Sequence, residues 1–285
     1  MFPSTYIISE DKIKFNDSFN EPLDNFIDLI SNLSNHLILG YKFNRPITGL
    51  PENLTHLEFG FKFNRQITGL PKNLTHLKFG HDFNQQITGL PENLTHLTFG
   101  VSFDQPLSHN GVSFLPQSLT NLTLGYCFNQ SIDGLPSIKY LSMDVLCREH
   151  INNLPNSLEE LVLGFYFNLE LNNLPNRLKK ISFSKTETYD KELNNLPNSL
   201  EELILGKNFN LELNNLPNQL KKISLLYSIG YDKELNNLPE SVEIIELNAD
   251  YNKKISKFPK NLKTVVCYDE YKFIDDLASY EVQTF

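Results

Sequence analysis

Four histidines recur along the chain: His36, His56, His76 and His96. Imidazole is a common metal ligand, and it is the side chain that changes charge near neutral pH. If the four share one face of a sheet, they stand ~5 Å apart from strand to strand. Two neighbouring rings could then hold one ion between them. A metal centre, however, draws on further cysteine or carboxylate ligands, and no such pattern surrounds these residues. The expectation is a contact surface or a duplicated surface position, with no metal and no cofactor.

The same position changes character in the second half of the chain. Glu159-Glu160, Lys179-Lys180, Glu201-Glu202 and Lys221-Lys222 follow one another on successive repeats. Opposite charges facing each other across strands contribute roughly 0.2–1 kcal/mol per pair. The alternation reads as register-keeping and solubility, with an electrostatic docking strip as the alternative. Tyr41, Phe61, Tyr126 and Phe165 each follow a glycine. They either pack into a turn or form an exposed stripe of the kind that supplies binding hot spots.

Asn53, Asn73, Asn93 and Asn121 each open an Asn-Leu-Thr tripeptide. These are formal glycosylation sequons, expected to stay unmodified because no secretory signal precedes them. The segment SHNGVSF (108–114) occurs once and holds the five-residue insertion that lengthens its unit to 25 residues, a candidate binding loop. Phosphate-binding G-x-x-x-x-G-K-[ST], H-E-x-x-H and nucleophile-elbow signatures are all missing from the sequence.

The elements that carry these residues are set by repetition. Residues 50–69 read LPENLTHLEFGFKFNRQITG, and residues 70–89 read LPKNLTHLKFGHDFNQQITG. Leu-Pro recurs from Pro51 to Pro239, and Phe-Pro closes the series at Pro259. The steps between these prolines are 20, 20, 25, 20, 19, 20, 22, 20, 22 and 20 residues. An apolar-x-apolar triplet starts at Ile13, Leu37, Leu57, Leu77, Leu97, Leu122, Leu141, Leu161, Ile181, Leu203, Ile223, Ile245 and Val265, which counts thirteen units. Alternation within a triplet puts Leu57 and Phe59 on one face and His56 and Glu58 on the other. A unit of this length cannot bury an apolar face alone, so neighbours must stack. Residues 152–193 and 194–235 match as 42-residue pairs, and their longer members carry a two-residue insertion that should bulge outward.

Two columns run through the units. An aromatic column follows Phe19, Phe43, Phe63, Phe83, Phe103, Phe128, Cys147, Phe167, Tyr189, Phe209, Tyr231, Tyr251 and Tyr271. It reads as a core spine of offset rings. Beside it lie Asn20, Asn44, Asn64, Asn84, Asp104, Asn129, Arg148, Asn168, Asp190, Asn210, Asp232 and Asn252. Apart from Arg148, these are expected to be buried and to satisfy turn backbone groups that no ladder pairs.

Composition limits the function classes. Apolar residues make up 40% and charged residues 21%, and the net charge is -9. The acidic balance argues against a general nucleic-acid binder, which needs a basic footprint. No run of 18 apolar residues is present, so neither a membrane span nor membrane binding is expected. The first fifteen residues lack a signal-peptide pattern. Alanine occurs only at Ala249 and Ala278, against a mainly helical fold. Residues 23–33 (LDNFIDLISNL) are the best candidate for a short helix. Cys127, Cys147 and Cys267 are odd in number and irregularly spaced, which reads as structural thiols in a reducing compartment.

The start L-x-x-L-x-F is that of a leucine-rich repeat. The continuation in G40-Y-K-F-N-R-P-I47, G60-F-K-F-N-R-Q-I67 and G125-Y-C-F-N-Q-S-I132 resembles the FNIP repeat family of slime moulds and giant DNA viruses. The resemblance covers about residues 13–275 and implies a solenoid with a protein-interaction role. Some members carry an N-terminal F-box; with a dozen residues ahead of the first triplet, none is expected here.

The fold expected is therefore mainly β: one leucine-rich-repeat-like solenoid of about thirteen ~20-residue units with a parallel sheet on one face. Residues 1–12 form a lead-in, 13–275 the solenoid and 276–285 a tail. The function expected is a non-enzymatic scaffold, cytoplasmic (in the host cytoplasm if viral), that binds another protein. Its contact surface is placed at His56, His76, His96, Glu58 and Lys78, with Phe61 and Tyr126 at the edge. The alternatives are a structural protein of a virion or cell surface, or a carbohydrate-active β-helix enzyme.

Overall fold

The computed structural model describes residues 5–144, 151 and 153–284. Cys147 and Arg148, expected in the aromatic and asparagine columns, lie outside the described residues. The chain forms two compact units, Met1–Leu141 and Ser142–Phe285.

The first unit opens with an antiparallel pair, Tyr6–Ser9 against Lys12–Phe15. The second of these strands begins a parallel series with His36–Ile38, His56–Glu58, His76–Lys78, His96–Thr98 and Asn121–Leu124. The strand Tyr140–Met143 spans the boundary in sequence. The second unit stacks Glu160–Leu163, Lys180–Ser182, Glu202–Ile204, Lys222–Ser224, Ile244–Glu246, Thr264–Cys267 and Glu281–Thr284, all parallel. Every one of the thirteen triplets starts inside a strand. Helical turns among the described residues are confined to Leu23–Phe26, Ile27–Leu33 and Ile274–Leu277. The first two coincide with the expected short helix. The lead-in and the tail each contribute a strand. The end of a parallel stack leaves a row of backbone groups without partners, and these strands pair with part of it.

Each strand is short because its unit must turn at both ends. The proline carbonyl at the start of a unit accepts the N–H of the residue three positions on, as in Leu54 to Pro51 (3.1 Å) and Leu220 to Pro217 (3.1 Å). Leu54, Leu57 and Phe59 then point inward and are buried. At the far end of the strands from His36–Ile38 to Asn121–Leu124 the backbones of successive turns nearly touch at a glycine. A Cβ on Gly60 would meet the Gly40 carbonyl oxygen at 1.9 Å, and one on Gly80 would meet that of Gly60 at 2.0 Å. Only glycine fits there.

The aromatic column is the core. Phe43, Phe63, Phe83 and Phe103 are fully buried, and their rings succeed one another at 6.0–6.1 Å, nearly parallel. Phe59, Phe79 and Phe99 form a second inner column against the first, at 3.8–3.9 Å. In the second unit the spine continues from Phe167 through Tyr189, Phe209, Tyr231 and Tyr251 to Tyr271.

The asparagine column is not buried as expected; its members are half-buried or exposed. They lie at the rim of the turn, where the side-chain oxygens of Asn20, Asn44, Asn64, Asn84, Asp104, Asn168 and Asn210 reach the next unit's backbone. Asn44 Oδ1 accepts from Asn64 N (3.1 Å), Asn64 from Asn84 N (3.0 Å) and Asn84 from Asp104 N (3.0 Å). Asp104 passes the same bond to Asn129 N (2.8 Å), which is why aspartate can stand in this column.

The insertion 108–114 is a hairpin rather than a loop. Ser108–His109 pairs with Val112–Ser113, and Asn110 and Gly111 both have positive φ, 50° and 77°, the signature of a tight two-residue turn. Cys267 is buried, whereas Cys127 is exposed and so has no structural role in packing.

Candidate functional site

The candidate surface lies on the outer face of the first unit's sheet. Register places His36 beside His56, His56 beside His76 and His76 beside His96, with Asn121 in the next place. The rings stack face to face, with centroids 5.0, 4.1 and 4.1 Å apart. All four are half-buried, not freely exposed as expected, because each ring covers its neighbour's faces. Among the described residues no group of three or more His, Cys, Asp or Glu is placed to hold a metal ion.

Each ring in the regular units is fixed from below by the threonine before it. Thr55, Thr75 and Thr95 hydroxyls lie 2.9 Å from Nδ1 of His56, His76 and His96. His36 Nε2 instead reaches Glu58 Oε1 at 3.1 Å, and Lys78 Nζ lies 3.3 Å from Glu58 Oε2. His56, Glu58, His76, Lys78, His96 and Thr98, with Leu57 and Leu77 at the floor, line a shallow depression of about 200 Å³. Five residues expected at the site from sequence therefore meet in one place.

The electrostatics favour a neutral column. Burial lowers the pKa of His56, and the charge His36 would carry lowers it further. His76 falls to about 4, through burial and then through the rings of His56 and His96 on either side. Burial lowers that of His96 too. Burial works against the Glu58 carboxylate, but Lys78 and His36 outweigh it and hold its pKa below the usual range. His56, His76 and His96 thus take up a proton below the neutral range in which an ordinary imidazole changes charge.

Phe61 is half-buried at the end of its strand. It stacks between Tyr41 (4.8 Å) and His81 (4.2 Å), a histidine that was not identified from sequence as part of this column. The exposed stripe is thus made of ring edges, since the faces cover one another. Tyr41 and Phe165 are 43% and 37% exposed, and Tyr126 is half-buried. The Phe61 neighbourhood is closed by Lys62, 5.0 Å over the ring and 3.0 Å from Asp82.

The corresponding face of the second unit is an ion-pair ladder. Lys180 lies 3.3 Å from Glu160 and 3.4 Å from Glu202, and Lys222 lies 3.6 Å from Glu202 and 2.7 Å from Glu246. A second row pairs Lys179 with Glu159 (3.0 Å) and Lys221 with Glu201 (2.8 Å). These charges neutralise one another in register.

Three of the four sequon asparagines share a structural explanation; Asn121 stands instead in the histidine column, beside His96. Asn53 Nδ2 donates to the Ser31 carbonyl (3.0 Å), Asn73 Nδ2 to Glu52 (2.9 Å) and Asn93 Nδ2 to Lys72 (3.0 Å), tying each turn to the one before. In these three units, with the leucine in the core and the threonine holding a histidine, the tripeptide arises from three separate packing needs. Thr55, Thr75 and Thr95 were not singled out from sequence as site residues, although their constant place before a histidine was visible there.

A model of the family described as FNIP Repeat matches residues 27–62, 43–82, 63–89, 83–127, 111–144, 150–186 and 189–228. Among solved structures, CroV588 of the giant virus CroV, described as a novel circular LRR protein, is 30% identical over 94% of this chain, with a TM-score of 0.67. This chain covers 51% of that one, about half its length. The pneumococcal vaccine antigen PcpA aligns with 96% of this chain and 77% of its own at 15% identity, with a TM-score of 0.20, too low to bear on the fold. No curated protein matches.

Proposed function

The chain belongs to the FNIP repeat family, and from that premise we propose that it is a non-enzymatic scaffold that binds another protein through the outer sheet face of its first unit. The supporting observation is the depression lined by His56, Glu58, His76, Lys78, His96 and Thr98. The leucine-rich-repeat-like stack behind it is of the kind that presents extended binding surfaces.

The partner is placed on the first unit rather than the second for an energetic reason. Long charged side chains lose rotamer freedom when immobilised and are depleted from interface centres. The second unit's Glu and Lys already satisfy one another across strands. The first unit offers stacked, threonine-anchored rings whose ordering has been achieved in folding. Phe61 and Tyr126 border the surface in this reading. No helix among the described residues is long and apolar enough to cross a membrane.

The experiment is a pulldown followed by binding measurements on whichever partner is captured. A His56/His76/His96→Ala variant is compared with a Glu201/Glu202/Lys221/Lys222→Ala variant. Loss in the first and retention in the second is the expected result. Loss only in the second moves the site to the ion-pair ladder.

A further inference from the structure

The histidine column differs from an ordinary set of surface imidazoles in how its protons are held. Thr120, in the next rung, has its hydroxyl 2.8 Å from Asn121 Oδ1 and 3.2 Å from the Thr95 carbonyl; the carbonyl already accepts the N–H groups of Thr120 (2.9 Å) and Asn121 (3.0 Å), so the hydroxyl hydrogen goes to Asn121 Oδ1. Asn121 occupies the column position beside His96. By the same geometry the hydroxyls of Thr55, Thr75 and Thr95 donate to Nδ1 of the following histidines, which puts the single ring proton on Nε2. The other acceptor available to Thr75 is the Thr55 carbonyl (3.1 Å). That carbonyl already accepts the N–H groups of Thr75 (2.9 Å) and His76 (3.0 Å), so its two lone pairs are taken. A second proton on the ring therefore forces the threonine hydroxyl towards an acceptor that is already satisfied. It also places a charge 4.1 Å from the next ring.

We propose that this stacked Thr–His ladder is an acid trigger: protonation splits the column and loosens the first unit's sheet, while the second unit, lacking histidines in register, stays closed. The device goes beyond the scaffold reading, and on that reading it would make partner binding acid-sensitive.

The charged groups around the column are few. Lys12 is in register with His36, and the charge of Asp11, the residue before it, favours a proton on His56. Glu58 and Lys78 form the pair described above, and Asn121 closes the far end. Among the described residues only Asp11 and Glu58 favour a protonated ring, and Glu58 is engaged by Lys78 and His36. In the unfolded chain a histidine titrates near ~6.5, whereas His76 in the fold titrates at about 4. The unfolded state therefore takes up protons first as pH falls. Stability is full above about pH 6.5 and is lost as the pH drops towards about 4.

The test uses the full chain without any partner, so it is independent of whether the scaffold reading holds. Amide hydrogen exchange, corrected for intrinsic rates, is compared at about pH 7 and about pH 5. Strands 36–38, 56–58, 76–78 and 96–98 should lose at least about tenfold more protection than strands 160–163 to 244–246. A His56/His76/His96→Asn variant should abolish that difference, asparagine being the residue that the next rung already accommodates. An equal response of the two units, or an acid response that survives the triple substitution, overturns the proposal. Should the triple variant fail to fold, a ring-proton titration of the unmodified protein decides. A His76 midpoint well below 6 supports the ladder, and one near 6.5 refutes it.

Discussion

Truncating Phe83 to alanine tests the inside of the fold. The side chain is fully buried. Its ring lies 6.0 Å from Phe63, 6.1 Å from Phe103 and 3.9 Å from Phe79. A phenylalanine ring buries roughly 150–250 Å². At ~25 cal/mol per Å² that gives about 4–6 kcal/mol as an upper bound, because unfolded chains already hide part of their apolar area. Measured truncations of buried Phe fall at ~3–5 kcal/mol, so about 4 kcal/mol is expected for Phe83→Ala. The cavity opens between successive turns, so the loss should spread to neighbours on either side. Urea unfolding gives the total, and amide exchange at strands 56–58 and 96–98 gives the spread. The control is Thr98→Ala on the outer face, expected to cost under about 0.5 kcal/mol. Equal shifts in the two midpoints would mean that the inner and outer faces have been assigned the wrong way round.

Gly80→Ala and Gly89→Ala separate two reasons for glycine. The first puts a methyl into the Gly60 backbone and should cost about 1–3 kcal/mol or more, with altered exchange at Gly60 and Phe61. The second has open space but φ of +69°, and should cost about 1–2 kcal/mol without effect on neighbouring turns. Asn64→Ala removes the acceptor for the Asn84 N–H and should cost about 0.5–1.5 kcal/mol in chemical denaturation; Asn64→Asp should cost close to nothing, and a large loss there would contradict the ladder. Lys222→Ala breaks pairs with Glu202 and Glu246 that are partly exposed to solvent, so the loss should stay within about 1 kcal/mol and shrink as salt is added.

The repeat length, the inward leucines, the aromatic spine and the short helix at 23–33 were all readable in the residues. Each depends on periodicity: a residue type that returns every twenty positions returns to the same physical environment. The turn at Asn110-Gly111 was also legible in principle, since two small residues that tolerate positive φ are a hairpin signal. Periodicity places His56, His76 and His96 in one column, but it does not say whether rings stand apart in water or lie face to face at 4.1 Å. That was decided by the strand spacing and by a threonine that orients each ring, and the stacking in turn lowers the affinity for protons. The asparagine column shows the same division. Its recurrence was plain, yet its place at the rim followed from the path of the turn, because the groups it bonds belong to the next unit's backbone and have no mark of their own in the sequence.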